Sequence, residues 1–387
     1  MTVRVLSITL LALGFAACQK APIAVAPKPV PPRDETTLRP APILAIKDEV
    51  RGAGSTFAEP VYNLWFAQYK PNLAIHFYYN EGETPGSEDG VKKLLHGQLH
   101  FAGSDWPLTE AEESDLARPY ASVAHLYVPA IIGAVVPVFS VRDINHNDIP
   151  RPLRFTSQAL AGIYSGTVLT WDNPEIQGVN RSVRLPHASI NLIVRSDGSG
   201  STYIFSTFLK KKGGWTGQPG MKVAWPRYYD TAAGSLEMAD KVKNTGNSVG
   251  YVEYTYAVSE NTKFGSVLTH ISPVSYEPDI YQTPNAANMV ASVPRTLADN
   301  PVLNPISLAN ALLDTADPQA YPISSVTWFV TPVPTEDMSR NIFRGFLCWM
   351  LQSGQIPARS IGYAQLPSRI RSPAKRAVEG YFGSCPT

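Results

Sequence analysis

Four short segments of the chain combine glycines with hydroxyl or charged side chains, a composition that suits an oxyanion. They cover residues 52–57, 86–93, 101–107 and 195–202. Glycines let the backbone come close to a ligand, and a helix that starts after such a loop offers free N–H groups and the positive end of its dipole. The four segments therefore predict an anion site built from backbone and hydroxyl groups.

The segment at 195–202 gives the strongest signal. It begins with Arg195 and continues with a run rich in glycine and serine. It joins the apolar stretch at 190–194 to the amphipathic stretch at 202–211. A guanidinium can make a bidentate, charge-assisted contact with an oxyanion, and small residues at a helix start suit an anion. The alternative is a flexible Gly/Ser loop, which the flanking strand and helix patterns argue against.

Two of the other segments also have purely local interpretations. Thr56 and Glu59 have the spacing of a capping box, which predicts that Thr56 caps the helix that follows. Asp105 follows a predicted strand and is either a polar group of the site or a cap for the turn before Pro107. Taken singly, each pattern is also typical of an ordinary tight turn.

The segment at 86–93 contains both a suitable donor and two unsuitable neighbours. Ser87 is predicted to cap a helix, to bind an anion, or both. Glu88 and Asp89 suit the first turn of a helix, whose dipole favours negative charge there. They would repel an anion if they pointed at it, so this segment leaves the shape of the site open.

The elements that would position these loops alternate between strand and helix. Strands are predicted at 75–79 and 190–194, helices at 91–95 and 202–211, and residues 130–139 form a buried strand or a crossover. This alternation predicts an α/β fold.

Composition excludes several classes of protein. The chain has 387 residues, of which 44% are hydrophobic and 17% charged, and its formal net charge is +1. These values are typical of a globular protein with one or two domains, and they give no electrostatic reason to expect nucleic-acid binding. A small anion needs only a few local groups, so the low net charge does not exclude an anion-binding protein.

The start of the chain has the pattern of an export signal. Residues 5–17 form an apolar run that is too short to span a bilayer, and Cys18 follows directly. We predict a signal peptide at 1–17, a lipid on Cys18 because residues 15–18 resemble a bacterial lipobox, and a proline-rich tether at 18–45. A plain signal peptide is the alternative to lipidation.

Cysteine and histidine leave two questions about chemistry. In an oxidising compartment Cys348 and Cys385 could pair, and the alternative is that Cys348 is a buried, free thiol. His96 and His100 have a spacing that suits zinc on a helix, but Gly97 between them favours a structural role. We predict no metal site, no cofactor and no catalytic residue.

Taken in order, the four loops resemble those of the periplasmic phosphate-binding proteins of high-affinity phosphate ABC importers. Segments at 160–166, 249–254 and 321–325 are also similar to that family, and the resemblance extends from about residue 50 to about 367. It implies an α/β, type II periplasmic-binding-protein clamp of two lobes. We place lobe 1 at 46–128 plus 270–387 and lobe 2 at 129–269.

The resemblance also implies which residues bind phosphate. They are Thr56, Phe57 through its backbone N–H, Ser87, Asp105, Arg195, Ser199, Gly200 and Ser201. Hydrogen phosphate carries a proton that it can donate to the Asp105 carboxylate, whereas fully ionised sulfate would face it with a second acceptor. The expected protein is a monomeric, lipid-anchored binding protein of the periplasm or cell surface that delivers phosphate to importer permease subunits.

Three other functions stay open from the sequence. A secreted phosphatase would share the anion site but needs a metal cluster or an activated nucleophile. A binding protein for sulfate or molybdate is disfavoured by Asp105. A sensor or adhesin that has lost the ligand is suggested by Glu88 and Asp89, which stand where the family usually carries small residues.

Overall fold

The structure is a computed structural model that describes residue 39 and residues 44–70, 75–118, 120, 125–150, 152–270, 279–296, 304–334 and 336–386. The strands are β1 Glu49–Gly54, β2 His76–Tyr79, β3 Phe101–Ser104, β4 His125–Ser140, β5 Arg154–Phe155, β6 Asn191–Arg195, β7 Asp230–Ala232, β8 Ser248–Glu253, β9 Ser266–His270, β10 Ile280–Gln282 and β11 Ser324–Pro332. The helices are α1 Glu59–Gln68, α2 Gly86–Leu95, α3 Glu110–Ala117, α4 Ser157–Ser165, α5 Pro174–Gln177, α6 Gly200–Gly213, α7 Gly234–Asn244, α8 Tyr254–Ser259, α9 Ala286–Ala291, α10 Pro305–Leu313, α11 Asp337–Met350 and α12 Ser368–Phe382. Two 3₁₀ helices cover Ser353–Gln355 and Pro357–Ile361.

One long sheet organises the described residues. Its strand order is β2-β1-β3-β11-β4-β8-β6-β7, and β5, β9 and β10 form a second, smaller sheet. The strands β1, β2 and β3 are parallel, as are β6, β7 and β8, while β11 and β4 run antiparallel to their neighbours. The predicted α/β fold is confirmed.

Strand β4 connects the two halves of the long sheet. Between His125 and Ala134 it pairs with β11, and from Val135 to Ser140 it pairs with β8. All but its two terminal residues are buried. The sequence prediction of a buried strand or crossover at 130–139 is therefore confirmed on both counts, because this single strand does both.

Aromatic packing fixes each half of the sheet beneath its loops. In the first half, the rings of Phe101 on β3 and Phe329 on β11 stack with centroids 4.4 Å apart. In the second half, Phe205 of α6 stacks on Tyr251 of β8 at 4.6 Å. Burying such rings stabilises a fold by several kcal/mol each, roughly 3–5 by comparison with truncation to Ala. The strand ends that carry the polar loops are therefore anchored in packed core.

The carboxyl-terminal part of the described chain is cross-linked. Cys348 of α11 and Cys385, which follows α12, form a disulfide whose Cα atoms are 5.6 Å apart. This settles the question that the sequence left open. The bond ties the end of the chain to a helix that packs on the first half of the sheet.

Most predicted element positions agree with the structure. The strand predicted at 75–79 is observed one residue shorter and that at 190–194 is shifted by one residue. The helices begin earlier than predicted, at Gly86 and at Gly200. Within the described ranges, no helix combines the length and apolarity needed to cross a bilayer. The predicted signal peptide and Cys18 lie outside the described residues.

Candidate functional site

The predicted site residues follow the carboxyl ends of strands from both halves of the sheet. Thr56 comes after β1 and Asp105 directly after β3, while Arg195 is the last residue of β6. Parallel neighbouring strands end at the same edge of a sheet, so β1 and β3 bring their loops together. The Arg195 Nη2 lies 3.2 Å from the Thr56 hydroxyl oxygen, which joins the loops of the two halves.

Arg195 is the cation of this cluster, and it is held in place by several acceptors. Its side chain is 1% exposed. Its Nε and Nη2 atoms donate to the two Asp197 carboxylate oxygens, both at 2.6 Å, and its Nη1 donates to the Ser235 hydroxyl at 3.3 Å. The guanidinium is therefore oriented before any ligand arrives, which reduces the entropy lost on binding.

The pairing of Arg195 with Asp197 keeps both groups charged. Burial alone would favour the neutral form of Arg195, but the charge and hydrogen bonds of Asp197 raise its pKa above the ordinary value. Burial also pushes the pKa of Asp197 upward, and the Arg195 charge and hydrogen bonds outweigh that effect and lower it. A buried guanidinium with a bidentate partner costs less to desolvate than a lone one.

Asp105 is the second predicted charged residue, and it lies at the bottom of the cluster. It is 1% exposed, and its carboxyl oxygens accept from the Ser55 hydroxyl at 2.5 Å and the Ser87 hydroxyl at 3.3 Å. Ser87 therefore joins the cluster from α2, as predicted. The structure thus brings β1, β3 and α2 together around one carboxyl group.

The environment of Asp105 changes its expected protonation. Burial raises its pKa to about 8, assisted by the nearby Glu253 charge and opposed by the Ser55 hydrogen bond, the Arg195 charge and the Ser87 hydrogen bond. At neutral pH the carboxyl therefore carries a proton in the ligand-free site. The acceptor role expected for Asp105 then depends on where this proton goes when an anion binds.

The start of α6 forms the third side of the cluster. The Ser199 side chain caps the helix by accepting from the Thr202 N–H at 3.2 Å. A Cβ atom on Gly200 would lie 2.6 Å from the Ser87 hydroxyl oxygen and 2.9 Å from Asp105. Only glycine allows the α6 start to approach these groups so closely. The Ser201 hydroxyl donates to the Glu253 carboxylate.

Two tyrosine hydroxyls fix the backbone of the loop after β1. The Tyr256 hydroxyl donates to the Thr56 carbonyl at 2.9 Å, and the Tyr363 hydroxyl to the Phe57 carbonyl at 2.5 Å. In a trans peptide the C=O and the following N–H point in opposite directions, so fixing the Thr56 carbonyl also fixes the Phe57 N–H. The Phe57 ring is buried, so only its backbone is left for the predicted anion contact, which stays a prediction.

The predicted capping box at Thr56 and Glu59 is wrong. Helix α1 has Ala58 at its N-cap position without a side-chain cap bond, and the Ser55 hydroxyl accepts from the Ala58 N–H at 3.0 Å instead. Glu59 accepts from Asn80 at 3.1 Å. The Thr56 hydroxyl lies 2.6 Å from the Ser235 hydroxyl oxygen, so it faces the cluster and not the helix.

Of the alternatives that the sequence left for Ser87, the helix cap is wrong, and both of its acidic neighbours are paired with lysines. Helix α2 begins at Gly86, two residues earlier than a cap at Ser87 would place it, with Pro85 as its N-cap residue. Glu88 lies 3.0 Å from the Lys222 ammonium, and Asp89 lies 3.5 Å from that of Lys93. Both carboxylates are therefore paired with cations, which offsets part of the repulsion that their sequence positions suggested, and Glu88 donates its backbone N–H to the Gly198 carbonyl of the 195–202 segment.

Besides Ser55 and Asp197, which lie within the predicted segments, three further groups in the cluster were not predicted as site residues from the sequence. Ser235, at the start of α7, contacts Thr56 and Arg195, and Gly234 before it has a φ of +76°, which glycine adopts readily. Glu253, the last residue of β8, is fully buried beside Ser201. Glu253 directly follows the mostly apolar run 249–252, so a charged residue at the end of such a run, the pattern also seen at Asp105 and Arg195, is a signal that could have found it.

The histidine pair does not form a metal site. His96 follows the end of α2 and its Nε2 lies 2.9 Å from the Leu116 carbonyl oxygen, while His100 Nδ1 accepts from the Arg51 N–H at 2.9 Å. Among the residues that the structure describes, no group of three or more His, Cys, Asp or Glu side chains is arranged to hold a metal ion.

Curated relatives share most of the chain's length. This chain is 27% identical over 340 residues to the phosphate-binding protein PstS of Xylella fastidiosa, and the aligned part covers 87% of this chain and 85% of the relative. It is 26% identical over 333 residues to PstS of Haemophilus influenzae, covering 85% of this chain and 92% of the relative.

Solved structures give the same fold. A phosphate-binding protein from Stenotrophomonas maltophilia superposes with a TM-score of 0.62 at 20% identity, covering 86% of this chain and 94% of that one. A high-affinity periplasmic phosphate-binding protein, PfluDING, superposes with a TM-score of 0.65 at 20% identity, covering 85% of this chain and 93% of that one. The two-lobed clamp predicted from the sequence is therefore confirmed as the fold. A family model for the PBP superfamily domain matches residues 34–353, most of the chain, and this protein therefore belongs to the PBP superfamily.

Proposed function

We propose that this protein binds inorganic phosphate outside the cytoplasmic membrane and delivers it to an ABC-type importer. The observation that carries the proposal is the convergence of Arg195 and Asp105, both buried, on one cluster at the ends of strands from both halves of the sheet. The relatives that cover most of the chain are named phosphate-binding proteins, which supports the same ligand. The proposed role is binding and transport, without a catalytic step.

The proposed phosphate contacts replace the water that the anion loses on binding. Arg195, with its Asp197 partner, supplies a fixed guanidinium, and we assign the hydroxyls of Thr56, Ser87 and Ser201 as further phosphate contacts. The Phe57 N–H and the α6 start at Ser199 and Gly200 add backbone donors and a helix dipole. These are the eight residues implied by the sequence resemblance, with Asp105 as the eighth.

Proton sharing is the proposed basis of selectivity. Because the pKa of Asp105 is about 8, its carboxyl group is protonated at neutral pH before a ligand binds. Hydrogen phosphate brings a second proton into the site. A carboxyl and a protonated oxyanion can share protons in a short, charge-assisted hydrogen bond. Sulfate brings no proton, so discrimination against it rises once Asp105 loses its own.

The cellular setting is proposed from the sequence. A signal peptide at 1–17, a lipid on Cys18 and a proline-rich tether at 18–45 would hold a monomeric binding protein at a membrane in the periplasm or at the cell surface. We propose lobes at 46–128 plus 270–387 and at 129–269, and the change of pairing partner of β4 between Ala134 and Val135 supports a division of the sheet into two halves near this boundary. Closure of such lobes around a ligand would present one shape to the permease subunits.

Calorimetric titration of the folded body with phosphate and sulfate tests the proposal. The protein is unfolded and refolded to remove bound anion, then titrated near neutral pH. We expect one-to-one binding of phosphate and weaker or no binding of sulfate. Exposed Arg181 replaced by Ala serves as a control that leaves affinity unchanged.

Two results would overturn the proposal. A protein shown to be folded by circular dichroism that binds neither anion would instead favour a sensor or adhesin. Steady hydrolysis of a chromogenic phosphate ester would favour a phosphatase. Equal affinity for both anions in the same titration at about pH 9, where Asp105 is ionised, would keep the fold and the site but refute the selectivity argument.

A further inference from the structure

Glu253 is a buried carboxyl group that the proposed phosphate contacts do not use. It is the last residue of β8, it is 0% exposed, and one of its oxygens, Oε2, has no hydrogen-bond partner among the residues that the structure describes. Its other oxygen, Oε1, accepts the hydroxyl hydrogen of Ser201. Burying a carboxylate with so few donors costs free energy, which calls for a functional explanation.

The hydrogen bond to Glu253 decides what Ser201 can offer to an anion. A serine hydroxyl has one hydrogen to donate and two lone pairs that accept. In this structure the single hydrogen is directed at Glu253. Any further partner of the Ser201 oxygen must therefore be a donor, and a fully ionised oxyanion has no hydrogen to give.

We propose that Glu253 is a positioning residue that makes Ser201 a hydrogen-bond acceptor, so that the site requires a second proton on the bound phosphate. The ionised Asp105 carboxylate accepts a hydrogen bond from the first phosphate hydrogen, and the Ser201 oxygen accepts one from the second. The preferred ligand form is thus dihydrogen phosphate, or hydrogen phosphate together with a proton taken from the protein or the solvent. This inference rests on the proposed function, because it assumes that phosphate occupies the cluster.

The charged and titratable groups around Glu253 come from several elements. Asp105 after β3, Arg195 at the end of β6, Tyr256 of α8 and Tyr363 after the second 3₁₀ helix all interact with its charge. Arg195 is already engaged by Asp197 in a bidentate pair, and Tyr256 and Tyr363 donate to backbone carbonyls. Ser201 therefore provides the contact through which Glu253 acts on the ligand.

Proton uptake during phosphate binding gives a direct test. Above the pKa of about 8 of Asp105, for example at about pH 9, free Asp105 is ionised and the ligand is hydrogen phosphate with one proton. Two acceptors then face one hydrogen, so the complex must take up about one proton per phosphate. Titration calorimetry in two buffers with different ionisation enthalpies measures this number.

Two variants and a control separate Glu253 from a purely structural role. In Glu253→Gln the amide can donate to the Ser201 oxygen, which frees the hydroxyl hydrogen for the phosphate, so the proton uptake should fall from about one to about zero. Ser201→Ala removes the acceptor without touching the carboxyl and should give the same loss. Glu175→Gln, an exposed site on α5, should keep the wild-type value.

The outcomes distinguish this inference from the proposed function. Phosphate binding by the wild-type protein without proton uptake would overturn the role of Glu253 and leave phosphate binding intact. Equal uptake in the wild-type protein and in both variants would overturn it as well, because the proton would then go to another group. Absence of any phosphate heat in the folded wild-type protein would refute the proposed function, and the role of Glu253 with it.

Discussion

Replacing Asp105 by Asn should stabilise the ligand-free protein while weakening its selectivity for phosphate. The carboxyl is fully buried, and burial raises its pKa from 3.8 to about 8. Asparagine has nearly the same shape and cannot ionise. The substitution therefore removes the cost of a buried, titratable acid and keeps a group that can bond to Ser55 and Ser87.

The magnitude and its pH window follow from the difference in pKa. Below about pH 4 both the folded and the unfolded chain hold the proton, so ionisation contributes nothing. Between about pH 4 and 8 the unfolded chain releases the proton while the folded chain keeps it, so the free energy of unfolding falls by about 1.4 kcal/mol per pH unit. Above about pH 8 the loss levels off at roughly 5 kcal/mol.

Urea denaturation of the anion-free proteins at pH 5 and pH 8 measures the effect. The difference in the free energy of unfolding between Asp105→Asn and the wild type should grow by roughly 4 kcal/mol from the lower to the higher pH. Contributions of groups that do not interact with Asp105 cancel in this difference. Asp115→Asn, whose side chain is 67% exposed, serves as the control and should show no such growth. A pH-independent difference for Asp105→Asn would refute the raised pKa and the proton sharing built on it.

Three further substitutions test the site and the scaffold. Arg195→Ala should weaken phosphate binding by roughly 2–5 kcal/mol in calorimetry, because it removes a buried charged partner, and unchanged affinity would place this residue outside the site. Gly90→Ala should lower the free energy of unfolding by roughly 1–3 kcal/mol, because its Cβ would lie 2.3 Å from a backbone atom of β1, whereas Gly246→Ala has open space and should be neutral. Replacing both Cys348 and Cys385 by Ala removes a disulfide between residues 37 apart and should lower the free energy of unfolding by about 4 kcal/mol. A reducing agent should then destabilise only the wild type, and equal destabilisation of the double variant would contradict this.

The strand-end loops could be predicted from the sequence because their signals are local. An apolar strand, a glycine or serine turn and an amphipathic helix follow one another within about ten residues around Arg195. The residue at the carboxyl end of such a strand lies at the edge of the sheet where the following helices begin. The same reasoning found Asp105 after β3, and it placed both residues without knowledge of the sheet order.

The hydrogen-bond partners could not be predicted because they depend on long-range contacts. Thr56 was expected to cap its own helix, but Ser55 performs that role and Thr56 faces Ser235, which lies 179 residues further along the chain. Spacing patterns describe what a helix can do for itself and contain no information about the opposite loop. Glu253 was missed in the same way, since its partner Ser201 comes from a different element.

The balance of charge in the cluster explains how an anion site can contain so many acids. Among the described residues, the guanidinium of Arg195 is accompanied by the carboxyls of Asp105, Asp197 and Glu253. Asp197 neutralises Arg195, so attraction of a dianion by net positive charge is not available, and binding must depend on hydroxyls, backbone N–H groups and helix dipoles. The remaining two carboxyls then favour ligands that bring hydrogens. A site arranged in this way selects an oxyanion by its protons more than by its charge, which is the property that separates phosphate from sulfate.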